Sequence, residues 1–242
     1  MAEDLLLLHG FSGTHRAYDG VIAALPAQRY RPHVPDLPGH GANGDRRPID
    51  FASCVAELAD LAPDRFVLCG YSLGGRIALH LALAHPDRVA GLVLVSTTAG
   101  IADPTARSER RRRDDDLAAR LEREPLEAFV RRWREQPLFA GEPEAVRAAA
   151  AADQLRNSPA GLAASLRGLG SGTMEPVWDR LGELDMPVTV VVGEADAKFF
   201  DLGRRLVDGL PDARLGVVAG AGHGLLWAAP GAVAAAIAQG GR

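Results

Sequence analysis

Short apolar runs recur along the chain, bounded by Gly and Pro. They alternate with segments whose apolar residues return every three or four positions. Residues 5–8, 65–70, 89–95, 188–192 and 215–218 read as buried strands, and 31–35 as a weaker one. Helices are predicted near 17–27, over 51–61 and from about 73 to 84. Continuous Val/Leu runs imply strands covered on both faces, so the expected class is α/β with a mostly parallel sheet.

The strand pattern disappears between residues 101 and 180. Charged helical patterns over 105–123, 126–135, 143–157 and 159–168 replace it, and strand–helix alternation then resumes. The expected organisation is an α/β core in two parts, 1–100 and 181–242, with an all-helical lid over 101–180. The run Glu109-Arg110-Arg111-Arg112-Arg113-Asp114-Asp115-Asp116 changes sign in blocks and reads as a solvated helix face. The insert holds 14 Arg against 14 Asp plus Glu, so it is neutral in sum.

Composition adds exclusions. A chain of 242 residues, 47% hydrophobic and 24% charged, suits one globular α/β core with an inserted subdomain, or at most two small domains. No apolar stretch approaches the roughly 20 residues that span a bilayer. The acidic start Met1-Ala2-Glu3-Asp4 lacks the basic flank of a signal peptide, so a cytoplasmic location without membrane insertion is expected. A formal charge of −4 gives no attraction for nucleic acid. Cys54 and Cys69 read as reduced, buried thiols. No ligand spacing suggests a metal, and no cofactor is expected. Of 27 basic residues, 26 are Arg and only Lys198 is lysine, so arginine abundance alone points to no function. Residue types leave the oligomeric state open, because an apolar lid surface and a dimer face look alike.

Gly70-Tyr71-Ser72-Leu73-Gly74 fits G-x-S-x-G, and it follows a strand and opens a helix, as the motif's chemistry requires. The glycines leave room for a tight elbow that lifts Ser72 to a helix N-terminus, where negative charge is favoured. A serine hydroxyl needs a histidine to take its proton. The order Ser, acid, His is met by Asp196 after the strand at 188–192 and by His223 after the strand at 215–218. Asp196 would fix the tautomer of His223, with Glu194 the nearest rival for the acid. Backbone N–H groups of Leu73 and Phe11 would form an oxyanion hole, with Gly10 permitting close approach. His9 and His40 read as residues that order their loops. Together these features resemble the α/β-hydrolase fold.

The resemblance narrows further. His9-Gly10-Phe11-Ser12-Gly13, Asp36-Leu37-Pro38-Gly39-His40-Gly41 and Gly70-Tyr71-Ser72-Leu73-Gly74-Gly75-Arg76 resemble the 2-succinyl-6-hydroxy-2,4-cyclohexadiene-1-carboxylate synthase family of menaquinone biosynthesis. So do Glu109-Arg110, Glu124-Pro125-Leu126, Trp133, Gln136-Pro137-Leu138-Phe139 and Leu155-Arg156-Asn157 in the insert. Gly193-Glu194-Ala195-Asp196-Ala197-Lys198-Phe199 resembles that family's acid loop. The resemblance implies a lyase that expels pyruvate from an enolpyruvyl cyclohexene, with Ser72 as base, His223 as relay and Asp196 as support. It needs no cofactor or metal. It also implies a small substrate with several carboxylates, held by Arg76, Arg110 and Arg156, with Tyr71 and Trp133 as apolar walls. Planar guanidinium suits carboxylate better than ammonium does. Lys198, two positions past the acid, is a further candidate for binding.

Gly224-Leu225-Leu226-Trp227 departs from the family, which often has polar residues there, and predicts a more apolar pocket wall. The chain also starts almost directly at a core strand, without the leading hairpin of many such enzymes. Two other readings use the same residues. One is a carboxylic-ester or lactone hydrolase with Ser72 as nucleophile, and the other a non-catalytic ligand receptor.

Overall fold

Leu5 to Leu8 alternate between two apolar clusters. Leu6 and Leu8 pack on one side and Leu5 and Leu7 on the other, and every strand through the sheet centre does the same. In the computed structural model, which describes residues 2–240, six strands form one sheet. They are β1 (Glu3–Leu8), β2 (Tyr30–His33), β3 (Phe66–Tyr71), β4 (Val89–Val95), β5 (Val188–Gly193) and β6 (Ala213–Val218), in the order β2-β1-β3-β4-β5-β6. Every pairing is parallel, so the sheet is wholly rather than mostly so. Met1 of the acidic start and residues 241–242 lie outside the described residues.

The chain supplies α1 (Asp19–Ala24), α2 (Phe51–Leu61) and α3 (Leu73–Ala84) before the insert. The insert contributes α4 (Pro104–Leu121), α5 (Leu126–Arg134), α6 (Glu144–Gln154) and α7 (Pro159–Leu169). After it come α8 (Ala197–Gly209), α9 (Leu225–Ala228) and α10 (Pro230–Gly240). Helices α2, α3 and α8 cover one face through Leu58, Ile77 and Leu206. On the other face Val21 of α1 and Val233 and Ile237 of α10 do so. Each such Leu or Ile removed from water contributes roughly 1.5–3 kcal/mol before chain entropy is charged against it.

Some elements differ from the pattern-based expectation. The helix expected near 17–27 is a 3₁₀ turn, His15–Tyr18, followed by the short α1. Leu25 is already extended because it precedes Pro26. Helix α6 stops at Gln154, short of the expected Asn157, and Ser158 then caps α7 by accepting from the Gly161 N–H. Cys54 and Cys69 are free and buried, and burial pushes both thiols up to about 12. No described helix is long and apolar enough to cross a membrane.

Helices α4 to α7 pack on a separate small cluster that includes Leu121, Phe129, Val130 and Leu166. β1 lies at the point where the strand order reverses, with β2 on one side and β3 on the other. Leu8 is level with Gly70, so the loops leaving β1 and β3 emerge side by side. An open parallel sheet leaves a crevice at that place.

Candidate active site

Ser72 sits between β3 and α3 with φ +52°, a left-handed backbone that costs a non-glycine residue about 1–3 kcal/mol. Its neighbours make this possible. A Cβ on Gly70 would lie 2.4 Å from the Gly74 carbonyl oxygen, and one on Gly74 would lie 2.0 Å from that of Leu8. The Ser72 N–H donates to the Val95 carbonyl at 2.9 Å, and the Thr97 hydroxyl donates to the Ser72 carbonyl at 2.8 Å. The elbow is therefore bonded to the end of β4 and to the loop that follows it.

His223 follows β6 and is 2% exposed. Its Nε2 lies 3.2 Å from Ser72 Oγ and its Nδ1 lies 2.7 Å from Asp196 Oδ2. Asp196 caps α8, its other oxygen accepting from the Phe199 N–H at 3.3 Å. A carboxylate can only accept, so Nδ1 carries the hydrogen and Nε2 is free to accept from the serine hydroxyl. Burial drives the His223 pKa down. Asp196 opposes that shift, while the positive charges of Lys198 and Arg134 add to it, and the result lies below the ordinary value. The imidazole is neutral at pH 7 and able to take a proton. Glu194 is exposed and accepts from the Gly220 N–H at 2.8 Å, away from His223.

The backbone N–H groups of Phe11 and Leu73 donate to no protein acceptor among the described residues. Both residues line the cavity above Ser72. The Gly10–Phe11 peptide is held by its other end. The Gly10 carbonyl accepts from the Gly13 N–H at 3.1 Å and from His9 Nδ1 at 2.9 Å. His9 Nε2 accepts from the Leu37 N–H at 3.0 Å, so its single hydrogen is on Nδ1. Burial lowers the His9 pKa and keeps this neutral form. His40 is similar. Its Nε2 accepts from the Ser12 N–H at 3.2 Å, and burial, with His9 adding, lowers its pKa to about 3.

A cavity of about 430 Å³ opens over Ser72 and His223. Arg76, one helical turn along α3, lines it and is 8% exposed. Its Nη1 donates to the Leu169 carbonyl at 2.8 Å, and it makes no ion pair among the described residues. Burial first, and then Arg110, bring its pKa down to about 9 against the opposing pull of Asp114, so it remains charged at neutral pH. Arg110 also lines the cavity, its Nε 2.9 Å from Asp114 Oδ1. Lys198 stands at the exposed rim, where desolvation and Arg110 lower its pKa. Trp133 forms a wall, 5.1 Å from the Phe11 ring and 5.6 Å from that of Phe129.

Three expectations need correction. Arg156 is exposed and lines neither cavity beside Ser72, because the chain leaves α6 before reaching it; Asp153, Gln154 and Asn157 turn inward instead. Tyr71 is no wall of the main cavity. It lies against Gly10 and lines an adjoining space of about 60 Å³ that Phe11, Ser72, Trp133 and His223 also line. Leu225 and Leu226 pack into the core beneath α10 rather than lining the pocket, and only Trp227 reaches that smaller space.

The run 109–116 is also not wholly solvated. Asp114 is buried, and Arg110 and Arg113 both face the cavity, one turn apart. The i,i+4 spacing of Arg110 and Asp114 is a signal that could have found this pair. Arg134 carried no such signal. It is buried, paired with Glu142, and its guanidinium lies 4.1 Å from the Phe139 ring centroid.

A family model described as the alpha/beta hydrolase family matches residues 5–236. The 2-succinyl-6-hydroxy-2,4-cyclohexadiene-1-carboxylate synthase of Enterobacter sp. (strain 638) is 36% identical over 97% of this chain and 90% of that protein. The enzyme of the same name from Klebsiella pneumoniae (strain 342) is 35% identical over 97% and 92%. Among solved structures, MenH from S. aureus superposes with a TM-score of 0.91 at 29% identity, over 98% of this chain and 92% of that one. A thermophilic esterase from Thermogutta terrifontis, with malate bound, gives 0.81 at 27% identity over 99% and 89%.

Proposed function

This chain belongs to the 2-succinyl-6-hydroxy-2,4-cyclohexadiene-1-carboxylate synthase family of α/β hydrolases, and on that premise we propose that it eliminates pyruvate from 2-succinyl-5-enolpyruvyl-6-hydroxy-3-cyclohexene-1-carboxylate in menaquinone biosynthesis. The location we propose for it is the cytoplasm. Ser72 Oγ takes a proton from the ring carbon beside the succinyl ketone and passes its own hydroxyl proton to His223 Nε2. The imidazolium that forms is stabilised by the buried carboxylate of Asp196. The C–H electrons form a new double bond from that carbon to its ring neighbour, the existing ring double bond shifts one position, and the bond from the ring to the enolpyruvyl oxygen breaks. The departing enolate takes up a proton, returned through His223, and becomes pyruvate. Charge on the succinyl oxygen is held by the N–H groups of Phe11 and Leu73, a contribution of about 3–4 kcal/mol per donor in comparable sites.

The observation that carries this reading is Arg76, a buried cation without a carboxylate partner, facing the cavity one turn from the serine. An ester hydrolase needs no such group, whereas a substrate with several carboxylates does. Arg110, Lys198 and Trp133 complete the binding surface, and the helical insert serves as its lid. The test supplies the enolpyruvyl substrate and follows pyruvate. Stoichiometric release, lost in Ser72→Ala, is expected, with little turnover of p-nitrophenyl esters. A burst of nitrophenol and no pyruvate would instead assign the serine to ester hydrolysis.

A further inference from the structure

The loop that carries Phe11 is held from the insert as well as from the core. Ser12 has φ +64°, and all three of its polar groups are bonded. Its N–H donates to His40 Nε2, its carbonyl accepts from Asn157 Nδ2 at 2.7 Å, and its hydroxyl accepts from Gln154 Nε2 at 2.8 Å. Two residues on, the Thr14 N–H and hydroxyl donate to the two oxygens of Asp153 at 2.9 and 2.5 Å. Asn157 Oδ1 also accepts from the Gly41 N–H at 2.9 Å, which joins the loop after β2 to the same cluster. Asp153, Gln154, Asn157, Ser12 and Thr14 are all buried.

We infer that Asp153, Gln154 and Asn157, at the end of α6, are positioning residues that hold the Phe11 N–H at the reacting oxygen. The inference rests on the reading that this N–H serves an oxyanion. In a trans peptide the carbonyl and N–H point opposite ways, so the Phe11 N–H faces outward only while the Gly10 carbonyl stays turned in. One of the two donors that keep it in is the Gly13 N–H, which lies between Ser12 and Thr14. Release of either residue loosens that donor, and the left-handed turn at Ser12 then has fewer bonds to oppose its relaxation. Such a flip would aim a carbonyl at the developing negative charge. The end of α6 is therefore a fixed part of the site and not a swinging part of the insert.

The test uses a fluorophosphonate, which reports the hole whatever the natural reaction is. Ser72 Oγ bonds to phosphorus, the P–F bond breaks, fluoride leaves and the hydroxyl proton goes to His223, with the phosphoryl oxygen in the hole. Asn157→Leu is expected to slow labelling at least tenfold. It should lower kcat for pyruvate release by a similar factor, while KM moves less than threefold. Leu58→Ala, a core truncation in α2, should lower the melting temperature and label at the parent rate well below it. Should Asn157→Leu fail to fold, Gln154→Met removes one bond of similar shape and is expected to slow labelling three- to tenfold. Labelling within twofold of the parent in these variants, or equal slowing by Leu58→Ala, overturns the inference. Labelling that behaves as expected in a protein releasing no pyruvate upholds it and removes the proposed reaction instead.

Discussion

The sheet core and the helical insert both contribute to the cavity, but different forces position their residues. In the core, backbone meets backbone. The missing side chain of Gly74 lets α3 rest against the end of β1, and covalent continuity with β3, β5 and β6 places Ser72, Asp196 and His223. In the insert, a small apolar cluster is accompanied by surface ion pairs such as Arg167–Glu122. Exposed pairs of this kind contribute about 0–1 kcal/mol each, so helix phase and packing decide which charge faces inward. Arg76 and Arg156 show the contrast. Both are arginines in family-like motifs, yet only the one on the core helix reaches the cavity.

The comparison is tested most severely at Gly74. Gly74→Ala forces α3 away from β1, so a loss of about 3 kcal/mol or more in chemical denaturation and a collapse of turnover are expected. In the insert, Gly141 has no atom within 4 Å of its would-be Cβ and φ +78°, so Gly141→Ala should cost only about 1–2 kcal/mol. Equal costs would erase the distinction between the regions.

Next in size is Arg76→Ala. Loss of a buried, charge-assisted contact costs about 2–4 kcal/mol, or roughly 30- to 1,000-fold in kcat/KM for the anionic substrate. An unchanged specificity constant would remove Arg76 from the binding surface.

A smaller effect separates the rim from the interior. The proposed mechanism needs neutral His223, so kcat/KM should fall as pH drops through the His223 pKa, which lies below the ordinary histidine value of about 6.5. Lys198 helps hold that pKa down, so Lys198→Ala should move the acid limb to higher pH. A limb that stays in place or moves lower would show that the ammonium does not act on the imidazole. The smallest effect is expected at Arg156. Arg156→Ala should leave kcat/KM within about twofold, as for an exposed side chain without a partner among the described residues. A tenfold loss would mean that the end of α6 turns inward when substrate binds.

The six strands, the elbow and the chain order that brings Ser72, Asp196 and His223 together were legible because each rests on local chemistry. Apolar runs bury on both faces, Gly70 and Gly74 permit one turn, and Asp196 and His223 follow strand ends directly. Sequence also suggested Arg76, since its distance from Ser72 along one helix is set by helical geometry. Tertiary structure alone decided which insert residues point inward. It buried Asp114 and Arg134, turned Arg156 to solvent, set Tyr71 at the smaller space beside the serine and joined Asn157 to two loops more than a hundred residues away. Strand ends inherit their position from the sheet. A charged helix resting on a small apolar cluster takes its rotation from packing against distant segments, and no residue type records that.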